Sequence, residues 1–92
     1  MTHNPQSTRA ALRALLRDLA ELNPIFAALQ GRGFSLSKAL ELGLHFDAIA
    51  EARHQAALDR GASPAEALQE LFCARQELAA ALSAQLGQKE AA

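Results

Sequence analysis

Residues 36–60, "LSKALELGLHFDAIAEARHQAALDR", decide how the chain is read. The stretch has no proline and one glycine, Gly43, and Ala and Leu supply much of it, the residues that head the helix-propensity ranking. A helix is predicted from Ser35 or Ser37 to Arg60, with Gly61 as its stop. Gly43, which costs about 1 kcal/mol relative to Ala inside a helix, marks either a close helix crossing or a break, and the crossing is the favoured reading.

Placed at 100° per residue, this helix is apolar in two directions. One face holds Ala39, Leu42, Phe46, Ile49, Ala50, Ala56 and Ala57, and the opposite face holds Leu36, Leu40, Leu44 and Leu58. A bundle helix needs one broad stripe. Two stripes predict either a helix sandwiched between its neighbours or a face kept for a second chain, and the second reading is taken. The expected interface comprises Leu36, Leu40, Leu44, Asp47, Glu51, His54 and Leu58.

Working outward, Leu12, Leu15, Leu16, Leu19 and Leu22 recur with helical spacing after Ser7, a suitable N-cap. In "ELNPIFAALQGRG" (21–33), Pro24 disfavours helical geometry at Asn23, yet Ile25, Phe26 and Leu29 stay in phase with the leucines. The expectation is a kink or interruption, with Asn23 as N-cap and Pro24 as first helical residue, ended by Gly31 and Gly33. A last helix opens on "SPAE", with Ser63 as N-cap, Pro64 at the first position and Glu66 closing a capping box. Its face holds Leu68, Leu71, Phe72, Leu78, Ala79, Leu82 and Leu86, and Gly87 is its expected end.

The predicted fold is therefore all-α: an antiparallel bundle of three main helices at about 8–30, 36–60 and 64–86, dimerising. Residues 1–6 are expected to be disordered, 7–87 to form a single domain and 88–92 to be a loose tail. Composition agrees, because Val, Tyr and Trp are absent and only Ile25 and Ile49 carry a branched β-carbon apart from the threonines.

Two arginines fall on apolar seams. Arg53 lies within the first face of the middle helix and Arg75 at the centre of the last helix's seam. Each calls for a carboxylate, with Asp18, Glu21, Glu70 and Glu77 as candidates. Asp47 and Glu51 make an acidic pair four apart, which a cation should face, and the stripe Arg9, Arg13 and Arg17 on the first helix or on a second copy is the expected source.

Chemistry-bearing motifs are sparse. Glu51 and His54, three apart, can chelate one metal only if a second copy supplies further ligands across a two-fold axis, so metal binding is an alternative and no metal or other cofactor is expected. The Arg9, Arg13, Arg17 stripe, without interleaved aromatics and in a chain of net charge −1, makes nucleic-acid binding a second, weaker alternative. No Ser–His–Asp set, glycine-rich phosphate loop or paired catalytic carboxylates supports an enzyme. A small ligand is left undetermined.

Cys73 stands alone, no apolar run approaches the roughly 20 residues of a membrane span, and the N-terminal stretch lacks the apolar core of a secretory signal. Asp18 and Glu21 oppose a transit peptide. The expectation is a cytoplasmic interaction module that binds another protein chain, as a homodimer or as an adaptor or chaperone-like subunit of a larger complex.

Overall fold

The boundaries between successive helices follow from local caps. The computed structural model describes residues 5–91, with side chains over 7–87, and among these there are four helices and no strand. The first, α1 (Pro5–Leu22), is helical from the first described residue and so already includes Ser7, its expected N-cap. The expected loose residues 1–4 and 92 lie outside the described part.

Asn23 then interrupts the chain as the sequence predicts. Its extended backbone (φ −135°, ψ 116°) breaks α1, and its side-chain oxygen accepts from Ile25 N at 3.0 Å to start α2 (Pro24–Leu29). Gly31 and Gly33, both at positive φ, turn the chain toward α3 (Leu36–Asp59), whose N-cap Ser35 accepts from Lys38 N at 3.1 Å. At its far end Gly61 N donates to Leu58 O and Ala62 N to Ala57 O, both at 3.0 Å, a Schellman closure with Gly61 at φ 90°.

Ser63 accepts from Glu66 N at 3.2 Å to open α4 (Pro64–Ala91). This helix runs past Gly87, its expected end, through the expected tail. Gly87 has no positive φ, and "QKEA" after it contains only good helix formers.

The short α2 is the centre of the core. Ile25, Phe26 and Leu29 are the largest fully buried side chains. Ile25 and Leu29 pack with Ala79 and Leu82 of α4, while Phe26 packs with Leu16 of α1 and Ala39 of α3. Gly43 is the predicted close crossing: a Cβ there would fall 2.7 Å from Phe26 Cζ and closer to other ring atoms.

Elsewhere α3 and α4 touch through small residues. Ala50 and Ala57 are wholly buried, as is Ala67, with Ala74 nearly so, and each pair is spaced by seven. That heptad of alanines lets two helices run close together as an antiparallel ribbon.

The result is an open, flattened bundle. The helix α1 touches α2 and α3 but not α4, so the three long helices do not close around one core. The molecule is flattened, with principal dimensions of 48 × 44 × 17 Å. Its radius of gyration is 15.6 Å, against roughly 12 Å for a compact domain of this length.

Candidate functional site

A single polar network joins the helices where α2 enters between α3 and α4. Arg75 on α4 donates from Nε to Asp47 Oδ1 at 2.8 Å and from Nη2 to Asp47 Oδ2 at 3.3 Å. Asn23 Nδ2 donates to the same Oδ1 at 2.9 Å, and Arg75 Nη2 reaches Glu51 Oε1 at 3.3 Å. The Asp47 and Arg75 side chains are each only 18% exposed. Burial is the largest influence on the Asp47 carboxyl and raises its pKa, but the bonds from Arg75 and Asn23, with the Arg75 charge, together outweigh it and leave it below its ordinary value.

This overturns the expectation that Asp47 and Glu51 look outward to an arginine on α1 or on a second copy. Their cation is Arg75 of the neighbouring helix. Asp18 and Glu21 serve neither seam arginine: Asp18 lies 3.7 Å from exposed Arg17. Arg53 takes Glu70 and Glu77, each at 2.8 Å, and these bonds, Glu70's first, raise its already high pKa.

The two arginines label opposite sides of the ribbon. On the Arg75 side, Leu44 precedes Asp47 by three residues and Leu58 follows Glu51 by seven, while Phe72 and Leu68 precede Arg75 by three and seven. Helical periodicity sets all four beside the polar network. Leu44 is 63% exposed, Phe72 55%, Leu68 45% and Leu58 36%. His54, half-buried, lies within this group, and Leu22, 84% exposed, adjoins Asn23. The Arg53 side carries the paired charges together with Ile49 and Cys73, both exposed.

The predicted interface is therefore divided. Leu44, Asp47, Glu51, His54 and Leu58 share a face, but Leu36 and Leu40 do not belong to it: they pack half-buried onto the Leu16, Phe26 and Ala39 cluster. Leu68 and Phe72, predicted for the core seam, stand exposed instead, and so does Ile49. The signal for Leu68 and Phe72 lay in their spacing from Arg75, because whatever flanks a seam arginine on its outer side shares its surface.

Arg9, Arg13 and Arg17 are exposed along α1, and the first two line an open cleft of about 730 Å³ with Phe34, Ser35 and Ser37. Among the described residues Glu51 and His54 gain no further ligand. Among the described residues no three His, Cys, Asp or Glu side chains gather as a metal site, and the Glu51 carboxylate is held by Arg75. No described helix is long and apolar enough to cross a membrane. A scan against protein-family models, a search of curated proteins and a search of solved structures each returned no match to this chain.

Proposed function

We propose that the chain is a small cytoplasmic interaction module whose working surface is the Arg75 side of the α3–α4 ribbon. The observation that carries this is an excess of surface. The molecule exposes 6418 Å², whereas a compact monomer of 9.8 kDa exposes about 5,200 Å². The surplus, about 1,200 Å², is that of an open arrangement, which leaves large apolar side chains on the surface. Leu44, Leu58, Leu68 and Phe72 are large apolar side chains gathered on one exposed side, which is the usual mark of an interaction surface. The single exposed thiol of Cys73 fits a reducing compartment.

Light scattering and a hydrophobic dye test this reading together. The chain should show either a mass above 9.8 kDa or dye binding, and Leu44→Asp should remove whichever is found without loss of far-ultraviolet helical signal. A monomer that binds no dye would refute the assignment of this face.

A further inference from the structure

We infer that α1 is a lid: hinged at Asn23, it lifts from α2 and α3 as a unit and uncovers Leu36 and Leu40, while α2, α3 and α4 stay folded. This stands apart from the interaction surface proposed above and begins with how little holds α1. Among its described side chains only Leu16 is buried, and Leu15 and Leu22 are 48% and 84% exposed. Its neighbours are α2 and α3 alone, since it does not reach α4. The six-residue α2, by contrast, buries Ile25, Phe26 and Leu29 and packs on every long helix. Part of a native structure opens most readily where few buried apolar contacts resist it.

A cleft of about 730 Å³ already stands at one end of the contact between α1 and α3, lined by Arg9, Leu12 and Arg13 on one side and by Phe34 and Leu36 on the other. The lid therefore rests on its neighbours through Leu16, Leu19 and Ala20, in its second half.

The joint is a single bond. Asn23 N donates to Leu19 O at 2.7 Å, so that N–H belongs to α1. The Asn23 carbonyl accepts from Ala27 N at 3.1 Å, and its side chain bonds Ile25 N and Asp47, so the rest of the residue belongs to α2 and α3. Between the two lies the N–Cα bond, and rotation about it, a change of φ, need break none of these. At −135° this φ sits inside the broad extended region, with room to turn either way. Pro24 frees the joint further, because it has no N–H to carry the ladder of α1 into α2.

What the lid covers gives the motion its consequence. Leu36, Leu40 and Leu44 follow one another at four-residue spacing along α3. With α1 down, the first two are half-buried and Leu44 alone is exposed. With α1 raised, all three join one apolar stripe, so the fold has a closed form that shows little of it and an open form that shows it whole.

Hydrogen exchange of the whole chain, read residue by residue by NMR at one fixed concentration, tests this. Amides of residues 12–22 should exchange together, about tenfold or more faster than those of residues 47–57 and 67–78. Ala67→Gly weakens α4, which α1 does not reach, and Gly61→Ala, at φ 90°, weakens the turn between α3 and α4. Lid-down and lid-up forms contain both places equally. Each substitution should therefore speed exchange in 47–57 and 67–78 about fivefold and leave 12–22 unchanged. Equal protection of the two regions, or acceleration of 12–22 in step with the rest, would overturn the lid, because α1 would then open only with the whole molecule. So would a gradient in which residues 19–22 are as protected as 47–57, which is fraying.

A thiol gives the second readout. Leu16→Cys, in a Cys73→Ser background, should react with a maleimide at a rate that Ala67→Gly leaves unchanged. A rate that rises with that substitution refutes a separate lid motion.

Discussion

Replacing Asp47 by Ala should be among the costliest single changes to an ionisable side chain in this molecule. Asp47 accepts three hydrogen bonds, from Asn23 Nδ2 at 2.9 Å and from Arg75 Nε and Nη2 at 2.8 and 3.3 Å. A bond to a charged group contributes about 1.5–3 kcal/mol, and stranding a buried donor costs a further 1–3 kcal/mol. These do not simply add. Arg75 keeps Glu51 at 3.3 Å, but that carboxylate is 53% exposed and replaces only part of what is lost. The expected loss is about 3 kcal/mol, which for a domain of this size lowers Tm by about 12–20 °C.

Urea unfolding followed by circular dichroism, at one fixed protein concentration, measures it. The pair is isolated by a double-mutant cycle with Arg75→Met, where a coupling of about 1.5–3 kcal/mol is expected. Asp18→Ala serves as the control: its pair with Arg17 is at 3.7 Å and about two-thirds exposed, so it should change stability by less than about 0.5 kcal/mol. If Asp47→Ala behaves like Asp18→Ala, or the coupling to Arg75 is absent, the network adds no stability to the apolar contacts that join α2 to α3 and α4.

Acid should reveal the same group. The Asp47 carboxyl is held below its ordinary 3.8, so its contribution is present above that value and is lost as pH falls through the lower folded value. The stability of Asp47→Asn, followed by urea titration at successive pH values, should therefore be flatter below about pH 4 than that of the parent chain. Gly43→Ala drives a methyl group into the buried Phe26 ring and should cost about 1–3 kcal/mol, part of it recovered by Phe26→Leu in thermal unfolding of the double variant. The same Gly→Ala change has opposite signs at two other places: at Gly61, φ 90°, it should destabilise by about 1 kcal/mol, whereas at Gly87 it should stabilise by up to about 1 kcal/mol.

Helix content and caps were legible because they are local. Asn23 and Pro24, Ser35, Gly61 and Ser63 act within a few residues of themselves and cap as their types predict, although Glu66 does not return the bond that would close a capping box at Ser63. Gly43 was legible as a crossing for the same reason: a glycine in a strong helix needs a neighbour to explain it. The last helix was read too short because propensity overrode a single signal, at Gly87. Faces were harder.

A helical wheel gives angles within one helix, but the direction of the interior depends on where other helices settle, and here α1 packs on α2 and α3 without reaching α4. Leu36 and Leu40 turned inward because α1 and α2 cover the start of α3, whereas Leu44, two turns beyond Leu36, lies past that cover. The partner of Arg75 was invisible for a related reason. Asp47 and Arg75 are 28 residues apart, and only the antiparallel pairing of α3 with α4 sets one against the other.

Asn23 carries two obligations at once. Its carbonyl oxygen caps α2 by accepting from Ile25 N, while its amide nitrogen donates to Asp47. An acceptor on one arm and a donor on the other is the property of a carboxamide, and few cap residues share it. Asp would keep the cap but set a second carboxylate against the first, and Ser would keep the cap but fall short of α3. The caps at Ser35 and Ser63 each answer to one backbone N–H and can be exchanged among Ser, Thr, Asp and Asn at modest cost. Position 23 should therefore tolerate far fewer residues than either, and a saturation library selected for stability would show it as a narrow column between two permissive ones.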